Sequence, residues 1–397
     1  MNTLAPEEAG FSSERLGRIG AVMQHYVDEN KVAGFITLVA RYGGVVHHER
    51  FGMMDVEESK PMQFDTIFRI YSMTKPITSV ALMMLFEQGL VRLTDPVSRF
   101  MPAFGEVKVL GNDGSLVEPD RAITIQDLLR HTAGLSYDGY YEETGELVDK
   151  LYDEVDLWPP GATSEEMVRR IAELPLAFQP GEAWRYSVAT DIVGRVVELV
   201  SDMSLAQFFE EKILKPLGME ETAFSVPPEK ADRLATLYGE AEEGGLEEVD
   251  AAVGGDYFDV TLHSGGHGLV STVADYHRLA KFLLNKGELN GVRLLGPRTV
   301  ELMTANHLPP AVLPIAMGAE PMPGLGFGLG FSVMLDVALS GMMGSPGLYS
   351  WGGWAKTHFW VDPEEELIGI LMVQQIHTGS HPAVIDFRTL VYQALVD

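Results

Sequence analysis

Apolar residues recur along this chain at two spacings, and the alternation between them sketches its architecture. Leu16, Ile19, Met23 and Tyr26 fall at helical intervals behind serines that can cap, which predicts a first helix over residues 11–30. Two strands are expected next, over 34–42 and 45–51, with Gly43-Gly44 as the turn between them. A long apolar-periodic run over 79–90 predicts a helix that begins soon after Tyr71, and Leu93-Thr94-Asp95-Pro96-Val97 turns into a short one. From there to about Gly218 the pattern is mostly helical. Thr124-Ile125-Gln126-Asp127 and Thr163-Ser164-Glu165-Glu166 carry capping-box spacing, residues 191–199 and 205–214 are helix-periodic, and residues 137–160 read as an aromatic loop.

Beyond it, the acidic stretch 239–250 reads as a solvated loop or hairpin. Thr272 and Asp275 open another capped helix through residue 285. Residues 308–323 form an apolar loop with five prolines and two methionines, expected to cover a hydrophobic site as a lid or wall. Gly324-Leu325-Gly326-Phe327-Gly328-Leu329-Gly330 alternates with period two and precedes no helix start. It therefore reads as a closely packed strand and not as a dinucleotide loop. Strands over 357–361 and 367–374 and a helix over 383–395 close the chain.

With 397 residues, nearly half of them apolar, a substantial core is possible. The formal charge of −28 disfavours nucleic acid and anionic membrane surfaces as partners. The absence of cysteine removes thiol nucleophiles, disulfides and cysteine metal sites. His47-His48-Glu49 lacks the spacing of a zinc helix and reads as a surface strand, and His263 and His267 have no third ligand in sight, so neither a metal nor another cofactor is expected. No signal-peptide pattern opens the chain and no apolar run reaches membrane-spanning length, which predicts a cytoplasmic protein with no membrane partner.

The candidate chemistry lies at Ser72-Met73-Thr74-Lys75, where a strand or loop feeds the helix. First-turn N–H groups and the helix macrodipole favour negative charge beside Ser72. Lys75, three residues on, shares its helix face. An amine used as a base at neutral pH must fall from about 10.4 to about 7, so burial or a proton-sharing partner is required.

Read in order, Ser72-x-x-Lys75, Tyr186-Ser187-Val188 and Trp351-Gly352-Gly353 resemble the motifs of the serine β-lactamase and penicillin-binding-protein superfamily, closest to class C β-lactamases and family VIII carboxylesterases. Leu93 to Val97, His131-Thr132-Ala133-Gly134-Leu135, Gln179-Pro180-Gly181 and Ser264 to Asp275 support the likeness over nearly the whole chain. The resemblance implies an α/β (α+β) fold, an antiparallel sheet flanked by helices, built from residues 1–94 and 255–397, with residues 95–254 as an inserted, mostly helical domain. It implies Ser72 as the acyl-accepting nucleophile, Lys75 and Tyr186 sharing its proton, and an oxyanion hole from the N–H groups of Ser72 and Trp354. Trp351, Gly352, Gly353, Val188 and Tyr137 are expected to bind substrate.

Departures from the family pattern bear on the substrate. Trp351-Gly352-Gly353 stands where β-lactamases carry Lys-Thr-Gly, and Val188 stands where they usually carry Asn; both weaken recognition of acyl-amide antibiotics. Lys356-Thr357-His358, close before the Asp362-Pro363 turn, is the less suitable match. The expected activity is hydrolysis of small to medium esters. Acyl transfer to an alcohol, β-lactamase or D-amino-acid peptidase activity, and a non-catalytic binding role are the alternatives. No Gly-x-Ser-x-Gly elbow occurs, which disfavours an α/β-hydrolase.

Overall fold

The computed structural model describes the chain apart from residues 112, 142–145, 242, 250–256, 259 and 377–381. Its centre is an antiparallel sheet of eight strands: β1 (Gly34–Arg41), β2 (Gly44–Asp55), β3 (Lys60–Pro61), β4 (Leu325–Phe327), β5 (Ser332–Met334), β6 (Tyr349–Gly352), β7 (His358–Asp362) and β8 (Leu367–Met372). Their spatial order is β4-β5-β6-β7-β8-β1-β2-β3, so the two ends of the chain meet where β8 pairs with β1, Leu38 opposite Ile370. All eight residues of β1 are buried, Thr37 and Arg41 included, which is why this strand is rich in Ile, Val and Leu: both sheet faces are covered.

Consecutive strand residues point to opposite faces, and β7 identifies what covers each. Phe359 packs on Tyr276 of helix α4 (Val273–Leu284), ring centroids 4.9 Å apart. Its neighbour Trp360 packs at 5.4 Å on Phe387 of α5 (Ala383–Tyr392), which lies against α1 (Arg18–Asp28). Trp360 finds room because the residue opposite it on β8 is Gly369, where any Cβ would collide with the indole ring. Helix α2 (Thr74–Glu87) packs against α3 (Ala189–Ser201).

The antiparallel sheet flanked by helices is the α/β (α+β) architecture expected from the sequence. Thr124, Thr163 and Thr272 each cap a helix through the side-chain oxygen, as their spacing predicted. Several local expectations differ. The first helix breaks at Gly17 into Ser13–Leu16 and α1. The aromatic loop contains the helix Leu147–Asp153, whose N-cap Glu146 makes no side-chain capping bond and so left little signal. The run after Leu205 continues as Leu205–Phe209, a π-type turn Glu210–Leu214, and Lys215–Leu217. The mostly helical stretch also holds a small hairpin, Val109–Leu110 with Leu116–Val117. The proline-rich loop is a hairpin as well, Ile315–Met317 with Glu320–Met322. The expected boundary at 254/255 falls outside the described residues.

Among the described residues no helix is long and apolar enough to cross a membrane, and no group of three or more His, Asp or Glu side chains forms a metal-binding cluster. His47 instead bonds the Thr37 hydroxyl within the sheet at 2.7 Å.

Candidate active site

Ser72 sits where a short strand turns into α2. Phe68–Arg69 pairs with Val270–Ser271, and the chain then makes a tight turn over Tyr71–Met73 before Thr74 opens the helix. Tyr71 takes φ +43°, a conformation that L residues adopt only under constraint. The constraint is visible: the Ile70 N–H donates to the Leu269 carbonyl at 3.1 Å, the Leu269 N–H to the Thr74 hydroxyl at 3.1 Å, and the Tyr276 hydroxyl to the Met73 carbonyl at 2.9 Å. The turn that presents Ser72 is thus held from α4 and from the strand beside it.

Helical spacing brings Lys75 to Ser72 as expected, with Nζ 3.1 Å from the serine Oγ. The amine also donates to the Tyr137 hydroxyl at 3.0 Å and to the Gly266 carbonyl at 2.9 Å. An ammonium has three protons, and here each has an acceptor. Lys75 is fully buried, and burial pushes its pKa down to about 7, with Asp191 acting in the opposite sense. The shift that a basic lysine needs is therefore produced chiefly by desolvation.

Tyr186 approaches from the other side, its hydroxyl donating to the Ser72 Oγ at 2.5 Å. Burial pushes this phenol well above its ordinary value, so it is protonated at neutral pH and available as a donor. Behind it stands His131, a buried ring at 4.9 Å that also packs on Trp184 and Phe327. Burial and the nearby Lys75 hold His131 well below the usual imidazole range, so it is a neutral packing surface. Tyr141 fixes the same segment by donating to the Tyr186 carbonyl at 2.8 Å.

Strand β6, paired with β5 on one side and β7 on the other, ends beside the site. The Trp351 ring lies 5.3 Å from Tyr186 and 5.1 Å from Phe327, an apolar face where a cation would stand in the Lys-Thr-Gly pattern. Gly353 bonds Thr357 across the turn through its N–H at 2.7 Å. A Cβ on Gly353 would lie 2.5 Å from the Ile70 carbonyl oxygen, so the end of β6 presses on the segment that leads into Ser72. Gly352 faces the His358 ring, and the indole of Trp354 stands edge-on to Tyr71 at 5.6 Å. Lys356 lies in the turn between β6 and β7, with φ +63°.

A serine in the turn before a helix, a lysine three residues on, a tyrosine from the helical region and the end of strand β6 beside them form one constellation, and the family comparison agrees over almost the full length. The Beta-lactamase family profile matches residues 19–393. The chain belongs to the β-lactamase family. It is 33% identical to Esterase EstB of Burkholderia gladioli over 393 residues, covering 94% of each chain. It is 28% identical to the Lovastatin esterase of Penicillium rubens, covering 89% of this chain and 91% of that one. Among solved structures it resembles EstCE1, described as a hydrolase with promiscuous acyltransferase activity, at 30% identity and a TM-score of 0.82, covering 96% of this chain and 99% of the other.

This β-lactamase family member is a serine hydrolase, and two stretches that the sequence singled out meet beside Tyr186. Tyr140 packs on Tyr137 and Tyr186 at 6.3 and 5.7 Å, and its hydroxyl meets the Met317 sulfur at 3.8 Å, so the aromatic segment and the proline-rich hairpin touch at Tyr140. Trp158 packs edge-on to His267 at 4.6 Å, whereas Tyr152 is fully buried in the core. Val188, between Tyr186 and α3, is also fully buried, its N–H bonded to the Ser136 carbonyl at 3.2 Å. Residues 264–266 pass between α2 and α3: Gly265 is wedged against Thr190 and Thr78, and Gly330 abuts Ser79 from the sheet side. The small residues noticed in the sequence are there because helices leave no space for side chains. Sequence reasoning did not foresee the Tyr137–Lys75 bond, the Gly266 acceptor or the buried Asp191. The glycine run at 265–266 was a signal of close approach without an indication of what approached.

Proposed function

We propose that the protein is a serine carboxylesterase that hydrolyses small to medium acyl esters through an acyl-enzyme on Ser72. The observation that carries this reading is the Ser72 Oγ held between Lys75 Nζ and the Tyr186 hydroxyl at 3.1 and 2.5 Å. A neutral Lys75 takes the serine proton as Oγ attacks the ester carbonyl. The N–H groups of Ser72 and Trp354 stabilise the oxyanion, a role that fits the turn leading into α2 for one and the turn that follows β6 for the other. Tyr186 lies on the side of the leaving alkoxide and hands it a proton, which the Lys75 side replaces. Water then repeats the sequence on the acyl group, releasing the acid. Tyr137, Trp351, Gly352 and Gly353 shape the site around the ester, with Val188 acting through packing behind Tyr186.

In this reading residues 1–94 and 255–397 make the α/β domain and 95–254 the helical one, with substrate in the cleft between. Esters are favoured over β-lactams because Trp351 offers no charge to a lactam carboxylate, and the esterase relatives point the same way. Acyl transfer to an alcohol is the second reading, supported by the aromatic and methionine walls, which suit an apolar acceptor in place of water, and by the description of EstCE1.

The test compares a short-chain nitrophenyl ester with a chromogenic cephalosporin, using wild type and Ser72→Ala. Ester turnover lost in the variant, with little lactam turnover, is expected. Rapid lactam hydrolysis would overturn the substrate assignment, and ester turnover that survives Ser72→Ala would overturn the nucleophile.

A further inference from the structure

Asp191 is a carboxylate that the reaction above leaves unused, yet it is buried to 1% exposure beside the catalytic lysine. It lies in the first turn of α3, where the helix dipole favours a negative charge. Its Oδ1 accepts from the Ser264 hydroxyl at 2.5 Å and from the Gly266 N–H at 2.9 Å, while its buried Oδ2 has no hydrogen-bond partner among the described residues. Gly266 is engaged on both sides: its N–H goes to Asp191 and its carbonyl accepts the Lys75 ammonium at 2.9 Å. Only glycine fits, because a Cβ there would overlap the Asp191 carboxylate. Ser264 reinforces the turn by accepting from the Gly266 and His267 N–H groups at 3.2 and 3.0 Å.

Resting on the Ser72 acyl-enzyme reading, we infer that Asp191 is a positioning residue for Lys75, aligning the Gly266 carbonyl with the amine and stabilising the ammonium formed when Ser72 loses its proton. A buried carboxylate with half its hydrogen-bonding capacity unused is costly in isolation, and the Lys75 cation, joined to it through Gly266, compensates it. When Lys75 is neutral, the uncompensated charge on Asp191 draws the serine proton toward the amine. The other groups around Lys75 do not supply this charge: Tyr137 and Tyr186 are phenols raised by burial, and His131 and His267 are imidazoles lowered by it.

The experiment follows phosphonylation of Ser72 by a neutral fluorophosphonate, read by intact mass, over about pH 5 to 9. Asp191→Asn keeps the shape and removes the charge. Its acidic limb is expected to move down by on the order of one pH unit, because Asp191 acts to raise the Lys75 amine, and its plateau rate is expected to fall. Asp191→Ala, which also frees the Gly266 turn, is expected to lose on the order of 10²-fold at the plateau. Gly266→Ala attacks the same contact from the other side and is expected to shift the limb the same way. A limb that stays in place in every one of these variants that folds, or one that rises, overturns the inference; loss of rate alone is what a purely structural aspartate would give. Wild-type enzyme left unlabelled would overturn the Ser72 reading itself, and the inference with it.

Discussion

Lys75 donates to the Tyr137 hydroxyl across 3.0 Å, joining α2 to a residue 62 positions away in the aromatic segment. Tyr137 is thereby one of three acceptors of the ammonium. Removing its oxygen while keeping the ring tests that role. For Tyr137→Phe the ammonium loses a bond worth about 1.5 to 3 kcal/mol, so ester kcat/KM is expected to fall roughly 10- to 100-fold. The acidic limb should move below the wild-type position near 7, since the protonated amine is less well held. Unchanged kcat/KM and an unmoved limb in a pH series would return Tyr137 to the cleft wall.

Burial holds the Lys75 amine at about 7 against an ordinary 10.5. The gap corresponds to about 5 kcal/mol of unfavourable burial of the cation. Below about pH 7 the amine is protonated in both folded and unfolded chains and that cost is present in full. Between about 7 and 10.5 the folded chain releases the proton first, so stability from this group improves as pH rises. Lys75→Met is expected to be inactive yet more resistant to urea than wild type at about pH 6, the margin narrowing toward pH 10. A margin that widens with pH would contradict the argument.

The end of β6 and the segment before Ser72 leave no space at Gly353. Gly353→Ala forces the end of β6 away from Ile70 and so shifts one of the proposed oxyanion donors. Loss of such a donor costs on the order of 10²- to 10³-fold in kcat. Ester kinetics should register it mainly in kcat, with KM little changed; a KM effect alone would argue that Gly353 only shapes the binding surface.

Gly369 and Trp360 form the corresponding pair in the sheet interior, far from the chemistry. Gly369→Ala overpacks the indole and is expected to cost about 1 to 3 kcal/mol, seen as a lower thermal midpoint with unaltered ester kcat/KM. Wild-type stability in that variant would mean that β7 and β8 separate at no cost.

The local order of the chain determined what neighbouring residues can determine. Three-residue spacing on a helix puts Ser72 and Lys75 on one face whatever surrounds them, and threonine caps at 124, 163 and 272 act within their own first turns. The predominantly apolar composition of β1 carried its burial. Elements without such local signals were missed: Leu147–Asp153 has no side-chain cap, and prolines obscured the hairpin of Ile315–Met317. Only the tertiary structure decided what faces Lys75. Gly266 is 191 residues from it, and its contact with Asp191 exists because α2 and α3 pack closely enough to admit nothing larger than glycine between them. A lysine becomes a base near neutral pH through desolvation, and desolvation is a property of the whole packed interior, to which no stretch of sequence alone gives access.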